Sequence, residues 1–275
     1  MLDDPARSER DAPSSTEGNA DRRPIAVTWC PICASVVVYA RVVDEQVSTF
    51  GTSGKLADDA LVMYDRETES ERKQPLGTAI GGPLQGRELD VVPAPVTSWR
   101  RFRSEYPNGV VLQPVRGADN DPHGRAPRTA YDTSRYEQYD AAEAFGLRAM
   151  RGEGPERAWD REGVDVKTTV LGAVHDGDAV GYPVPRVRAE GGVVADSVGW
   201  LDVLVVSCDA DSHAFEHPGH QFELRDGTLS GDGVSWDPTT GRSSDGRRLT
   251  RLPARRLYAF AWQDDHGRGS FYGLD

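Results

Sequence analysis

Two cysteines stand three residues apart in Cys30-Pro31-Ile32-Cys33, at the end of a strand-like run. At that spacing two sulfurs can share one metal ion or close a disulfide. The proline between them removes an N–H donor and stiffens the loop. A thioredoxin-type pair would open a helix inside a βαβ unit, but β-branched Ser35-Val-Val-Val-Tyr39 follows here, which disfavours that fold. A structural zinc needs two further ligands, and no second Cys-x-x-Cys exists. The third cysteine, Cys208, leaves no disulfide framework. The pair therefore reads as a copper or zinc site, a redox dithiol, or two thiols used for packing.

Three other groups could do chemistry. Met63-Tyr64-Asp65-Arg66-Glu67-Thr68-Glu69-Ser70 places hydroxyls, a carboxylate and a guanidinium after a strand. It lines a polar pocket, or it is an Asx turn in which Asp65 accepts backbone N–H groups and pairs with Arg66. Phe50-Gly-Thr-Ser-Gly54 offers Ser53 and Gly54 but lacks the Gly-Lys-Ser/Thr ending of a phosphate loop, and a plain turn is expected. His213, His217 and His220 follow Cys208, Asp209 and Asp211 within a short predicted hairpin, a weaker candidate for a transition metal. Asp264-Asp265-His266-Gly267 reads as a surface loop.

The elements that would position these groups are mostly strands. Ile25 to Trp29, Ser35 to Val43, Gln46 to Phe50, Ala60 to Tyr64 and Glu88 to Val92 are β-branched runs bounded by turn residues. So are Thr169 to Val174 and Asp178 to Tyr182 around His175-Asp-Gly177, Leu201 to Ser207, and the runs flanking Pro218-Gly219. One clear helix is expected over Thr97 to Tyr106, capped by Thr97, with a helix-like piece around Tyr136 to Met150. The fold class is mainly β. The expected organisation is a disordered polar head (1–23), a first β-rich repeat (24–114), an irregular connector with a short helix (115–166) and a degenerate second β-rich repeat (167–275). The repeat rests on likenesses such as Val27-Thr-Trp-Cys30 with Val205-Val-Ser-Cys208 and Tyr64-Asp65 with Trp236-Asp237, Asp211 standing where Cys33 would be.

Composition bounds the rest. The chain has 275 residues, 28% charged and 37% hydrophobic, with a net charge of −12. Such a surface repels phosphate backbones, so nucleic acid is not an expected partner. No apolar run is long enough to span a bilayer. Lysine occurs only at Lys55, Lys73 and Lys167, against 29 arginines, a balance that suits a salt-rich cytoplasm. The head carries no apolar signal region, so a cytoplasmic location is expected as the sequence stands, and an extracytoplasmic one if the true start lies upstream. A small molecule or metal ion is a plausible partner; no residue names a protein partner.

Val27-Thr-Trp-Cys-Pro-Ile-Cys33, Thr49-Phe-Gly-Thr-Ser-Gly54, Leu61-Val-Met-Tyr-Asp-Arg-Glu-Thr-Glu-Ser70 with Gln74, Gly82-Pro-Leu84, and Thr97 with Trp99 together resemble the domain-of-unknown-function 3179 family. The likeness is to versions from halophilic archaea and covers Pro24 to about Tyr272. It implies a functional interest in Cys30, Cys33, Ser53, Gly54, Tyr64, Asp65, Arg66, Thr68, Ser70 and Gln74, without assigning roles. Three departures stand out. Ala34 replaces the glycine after the second cysteine, Arg72 replaces a tryptophan, and the polar head stands where the pattern has an upstream segment. Loss of that segment would leave a sheet edge exposed or covered by the second lobe. Three functions follow. The first is a thiol-based metal or redox site in which Arg66 lowers the cysteine pKa and the cysteine loop faces the Tyr64–Ser70 turn. The second is a non-catalytic module binding a small polar ligand. The third is a hydrolase-like enzyme using Ser53 or Ser70, ranked last because the first block holds no histidine to serve as base.

Overall fold

The alternating burial of Ile25–Cys30 (β1) and Ser35–Ala40 (β2) makes them an antiparallel hairpin, with Cys30 opposite Ser35 across the turn 31–34. The computed structural model describes residues 23–111, 136–208 and 211–274. Almost all of the expected head, the start of the connector and Asp209 lie outside those residues. The protein is mainly β. Strands Val42–Val43 (β3) and Gln46–Val47 (β4) make a small hairpin. Phe50–Ala57 (β5), Ala60–Asp65 (β6), Glu71–Lys73 (β7) and Ala79–Gly81 (β8) form a four-stranded sheet in sequence order.

Strands Thr169–His175 (β9) and Asp178–Pro183 (β10) are joined by Asp176-Gly177, at φ 48° and 88°. That is the left-handed pair a two-residue hairpin turn requires. Val193–Val198 (β11), Leu201–Cys208 (β12) and Asp211–Glu216 (β13) form a three-stranded sheet. Phe222–Arg225 (β14), Thr228–Gly231 (β15) and Val234–Trp236 (β16) form another. Ala254–Tyr258 (β17) completes a central five-stranded sheet in the order β1-β2-β17-β9-β10. This sheet takes strands from both sequence blocks. Its edge strand β1 leaves Ile25, Val27 and Trp29 exposed.

The described helices are Trp99–Glu105 (α1), Glu137–Ala141 (α2), Gly146–Arg151 (α3), Val184–Ala189 (α4) and Ala259–His266 (α5). Helix α5 begins where β17 ends and packs its Trp262 on β9 and β10. A Cβ at Gly172 or Gly181 would lie 2.1 or 2.3 Å from that indole, so both positions require glycine. Trp262 belongs to the core that also holds Cys30, Ile32, Cys33, Val170, Leu257 and Phe260.

Four local expectations are corrected. Phe50 to Gly54 is strand, not turn: pairing with β6 prevails, and a bulge between Thr52 and Leu56 with Gly54 at φ 78° absorbs the glycines. Glu88 to Val92 forms no strand. It bridges β2 only at Tyr39–Val91, because β17 pairs with that edge of β2 at Val36. The cap of α1 is Ser98, whose hydroxyl accepts from Arg101 N at 3.2 Å. Thr97 is drawn away by the Asp211 carboxylate, to which it donates at 2.6 Å. Finally, β13 and β14 do not pair with each other, so the histidine segment is a link between two sheets rather than a hairpin.

Candidate functional site

Cys30 ends β1 and Cys33 closes the following turn, so both thiols fall on the inner face of the hairpin. Both are free and fully buried. The neighbouring Cys33 thiol, with help from backbone N–H groups, outweighs desolvation and draws the Cys30 pKa down to about 7. One such donor is Leu61 N at the start of β6, 3.4 Å from the sulfur. Cys33 moves the other way: the neighbouring Cys30 and burial both push it well above an ordinary thiol, and Asp265 adds to the rise. Of the two, Cys30 is the thiol whose surroundings favour the thiolate. The turn is clamped from outside. Tyr139 donates to Ile32 O at 2.6 Å and Tyr258 N to Cys33 O at 2.8 Å.

Two charged groups that bear on this pair were read from the sequence in other terms, Asp265 as part of a surface loop and Lys73 only as one of three lysines. Lys73 of β7 and Asp265 of α5 form an ion pair at 2.6 Å with side chains 7% and 1% exposed. Lys73 also reaches the exposed Asp58 at 2.7 Å. Burial works to lower the Lys73 pKa, but the two carboxylates prevail and hold it raised. Burial raises the Asp265 carboxyl, against the pull of Lys73. The next residue, His266, is held neutral at about 4 by burial and by Arg255 and Lys73. Asp264-Asp265-His266 is the last turn of helix α5, whose first turn is buried, rather than a loop; Asp264 there is exposed and pairs with Arg157 at 2.7 Å. A signal did exist. In a chain with 29 arginines and three lysines, a retained lysine marks a place where a guanidinium does not serve.

The Tyr64–Ser70 segment is an Asx turn. Asp65 Oδ1 accepts Thr68 N at 2.7 Å and Thr68 Oγ1 at 2.6 Å. Thr68 meets Ser70 Oγ at 2.7 Å, and Ser70 Oγ accepts Leu84 N at 3.0 Å. Arg66 does not pair with Asp65; it is exposed, and its guanidinium lies 5.8 Å from the Tyr64 ring. The buried cation beside Asp65 is Arg72, at 3.9 Å. Ser53 Oγ donates to Val62 O at 2.6 Å and accepts Lys55 N, holding the β5 bulge around Gly54. Gln74 is fully buried and donates to Thr28 Oγ1 at 2.8 Å, on the Cys30 face of β1. Among the candidate pocket residues, Gln74 thus reaches β1 through Thr28, two residues before Cys30. The turn lies at the opposite end of β6 from Leu61, about 13 Å along the strand, and Arg66 is not the cation that lowers Cys30.

The family assignment rests on these same segments, for residues 17–269 match the family described as a protein of unknown function, DUF3179. The chain belongs to the DUF3179 family. No curated protein and no solved structure matches it. Two of its departures from the DUF3179 pattern now have physical content. Ala34 holds φ 49°, the left-handed region that suits the glycine it replaces. Arg72 is fully buried and donates to Gly77 O at 3.1 Å and Arg87 O at 2.8 Å, a cross-link that ties β7 to the Gly86–Glu88 segment.

The histidine candidates do not converge. His213 is buried on β13, its pKa lowered to about 3 by burial and by Arg251 and Arg101. His217 accepts Gly219 N at 3.2 Å within its own turn, and His220 stacks 5.0 Å from Phe222. Among the described residues no three His, Cys, Asp or Glu side chains are grouped to hold a metal ion. The donor set beside Cys30 and Cys33 therefore does not fit zinc, which takes four ligands; two thiolates alone suit only a soft ion such as Cu(I). No described helix is long and apolar enough to cross a membrane.

Proposed function

We propose that this DUF3179 protein uses Cys30 and Cys33 as a redox dithiol that closes to an intramolecular disulfide. The observation that carries the reading is geometric: the β1–β2 turn buries both thiols completely in one core cluster, where each drives the other's pKa in the opposite direction. This is the division of labour between an attacking and a resolving thiol. Complete burial favours a small oxidant of the hydroperoxide class over a protein disulfide. The Cys30 thiolate attacks the distal peroxide oxygen, the O–O bond breaks, and the departing alkoxide takes up the proton that Cys30 gave up on ionising and leaves as the alcohol. The Cys33 sulfur then attacks the resulting sulfenic sulfur and the S–O bond breaks. The S–S bond forms, and the Cys33 proton leaves with the hydroxyl as water. The net change is dithiol plus hydroperoxide to disulfide, alcohol and water.

The test is anaerobic purification, metal analysis, then stoichiometric peroxide followed by mapping of the oxidised peptides. The reading requires metal-free protein and a Cys30–Cys33 bond, with a trappable sulfenic acid on Cys30 in the Cys33→Ser variant. One equivalent of copper, lost in the Cys30→Ser/Cys33→Ser variant, would replace it with the metal reading. Inert thiols and no metal would return the cysteines to packing.

A further inference from the structure

On the outer face of the β1–β2 hairpin, opposite Cys30 and Ser35, lies a cavity of about 490 Å³. Alternation along the strands puts Val27, Val36 and Val38 on that face, and Leu171 and Leu252 line it from the neighbouring strand and loop. The segment Pro93–Val96 forms a further wall. It is fastened by Thr97, which donates to Asp211 Oδ2 at 2.6 Å; the same oxygen accepts Thr239 Oγ1 at 3.3 Å.

The cationic groups of this cavity are two arginines, and no carboxylate among the described residues lines it. His213, Arg251 and Arg256 line it. The Arg256 side chain is half-buried and makes no hydrogen bond or ion pair among the described residues; burial lowers its pKa, with Arg188 adding to the fall and Tyr258 and Asp211 opposing it. Arg251 donates to Thr239 O and lies 4.8 Å from the Phe215 ring centroid, with no carboxylate partner among the described residues. Burial and the neighbouring Arg248 bring it down to about 10. His213 is 2% exposed and its Nε2 has no partner. A chain with 44 acidic residues thus leaves two guanidiniums without a carboxylate contact, and one neutral imidazole nitrogen without a partner, in an apolar recess; Asp211 and Asp237 act on the guanidiniums only at longer range. Half-buried charge without a partner is costly, and an anion would offset that cost. The aliphatic walls match an alkyl body, and ligand sites generally combine such walls with a few convergent polar groups.

We propose that this cavity binds an amphipathic monocarboxylate, its carboxylate held by Arg256 and Arg251 and its alkyl chain along the outer face of β1 and β2. The site is separate from the dithiol and stands whether or not Cys30 and Cys33 are redox-active.

Decanoate, decan-1-ol and acetate, titrated calorimetrically below micellar concentrations, separate the contributions of charge and chain. Decanoate binds one per chain, decanol at least about tenfold more weakly, and acetate not measurably, a charge-assisted hydrogen bond being worth at least that factor. Arg256→Gln brings decanoate to the decanol level while leaving decanol affinity unchanged. Should that variant fail to fold, a photoreactive diazirine analogue of decanoate is applied to the unmodified protein. Its label must fall on the peptides carrying β1, β2 or Arg251–Arg256. Equal affinity for decanoate and decanol, no decanoate binding, or labelling elsewhere overturns the proposal.

Discussion

Replacing Lys73 by methionine removes the cation beside Asp265 while keeping most of its volume. The Asp265 side chain is 1% exposed, so the carboxylate left behind has no water to turn to. Breaking a buried pair on one side costs about 3–5 kcal/mol. The other partner, Asp58, is 65% exposed and rehydrates, adding only about 0–1 kcal/mol. The cost depends on pH with a definite sign. Burial already raises the Asp265 carboxyl, and the variant raises it further by removing Lys73, while Asp264 and Asp58 press in the same direction. A folded-state pKa above the unfolded value means the native state holds the proton more tightly. That contribution is fully present below the unfolded carboxylate range, at about 3.9, and is lost as pH rises through the raised folded value. Urea unfolding should therefore show the full penalty at neutral pH and a smaller one in mild acid. The double variant Lys73→Met/Asp265→Leu should recover most of the loss. A neutral-pH cost under about 1 kcal/mol, far below the range for a broken buried pair, would refute this reasoning. So would equal costs at both pH values, or a double variant no more stable than the single.

Three further outcomes follow from the same geometry. Ala34→Gly should stabilise the fold by about 1 kcal/mol, since it relieves a left-handed alanine at φ 49°; chemical denaturation measures it. Ser70→Ala should cost about 1–3 kcal/mol by the same assay, because Leu84 N and Thr68 both lose their partner. Asp265→Asn removes a charge that raises Cys33, so in a Cys30→Ser background the pH profile of Cys33 alkylation should move to lower pH.

The hairpins were legible because their signals are local: β-branched runs on either side of Asp176-Gly177 leave a two-residue turn little choice. The Asx turn at Asp65 was one of two open readings, and the adjacent Thr68 decides it. What the residues could not reveal is long-range. The cation for Asp65 is Arg72 rather than adjacent Arg66, because the strand pairing of β6 with β7 carries Arg72 inward. Lys73 meets Asp265 from the far end of the chain, and a charged stretch at a helix end is indistinguishable from a loop until Phe260 and Trp262 are seen to be buried. The first and second blocks looked separable, yet β17 inserts between β2 and β9 and joins both in one sheet.

The most direct test of the central claim is equilibration of the purified protein across a series of thiol–disulfide buffers, with acid quenching and alkylation of the remaining thiols. A working dithiol gives a single two-electron transition in which Cys30 and Cys33 disappear together, with the bond mapped between them, while Cys208 is alkylated to the same extent at every potential. Cysteines that stay fully alkylatable after unfolding at every potential, or a disulfide that involves Cys208 instead, would contradict it.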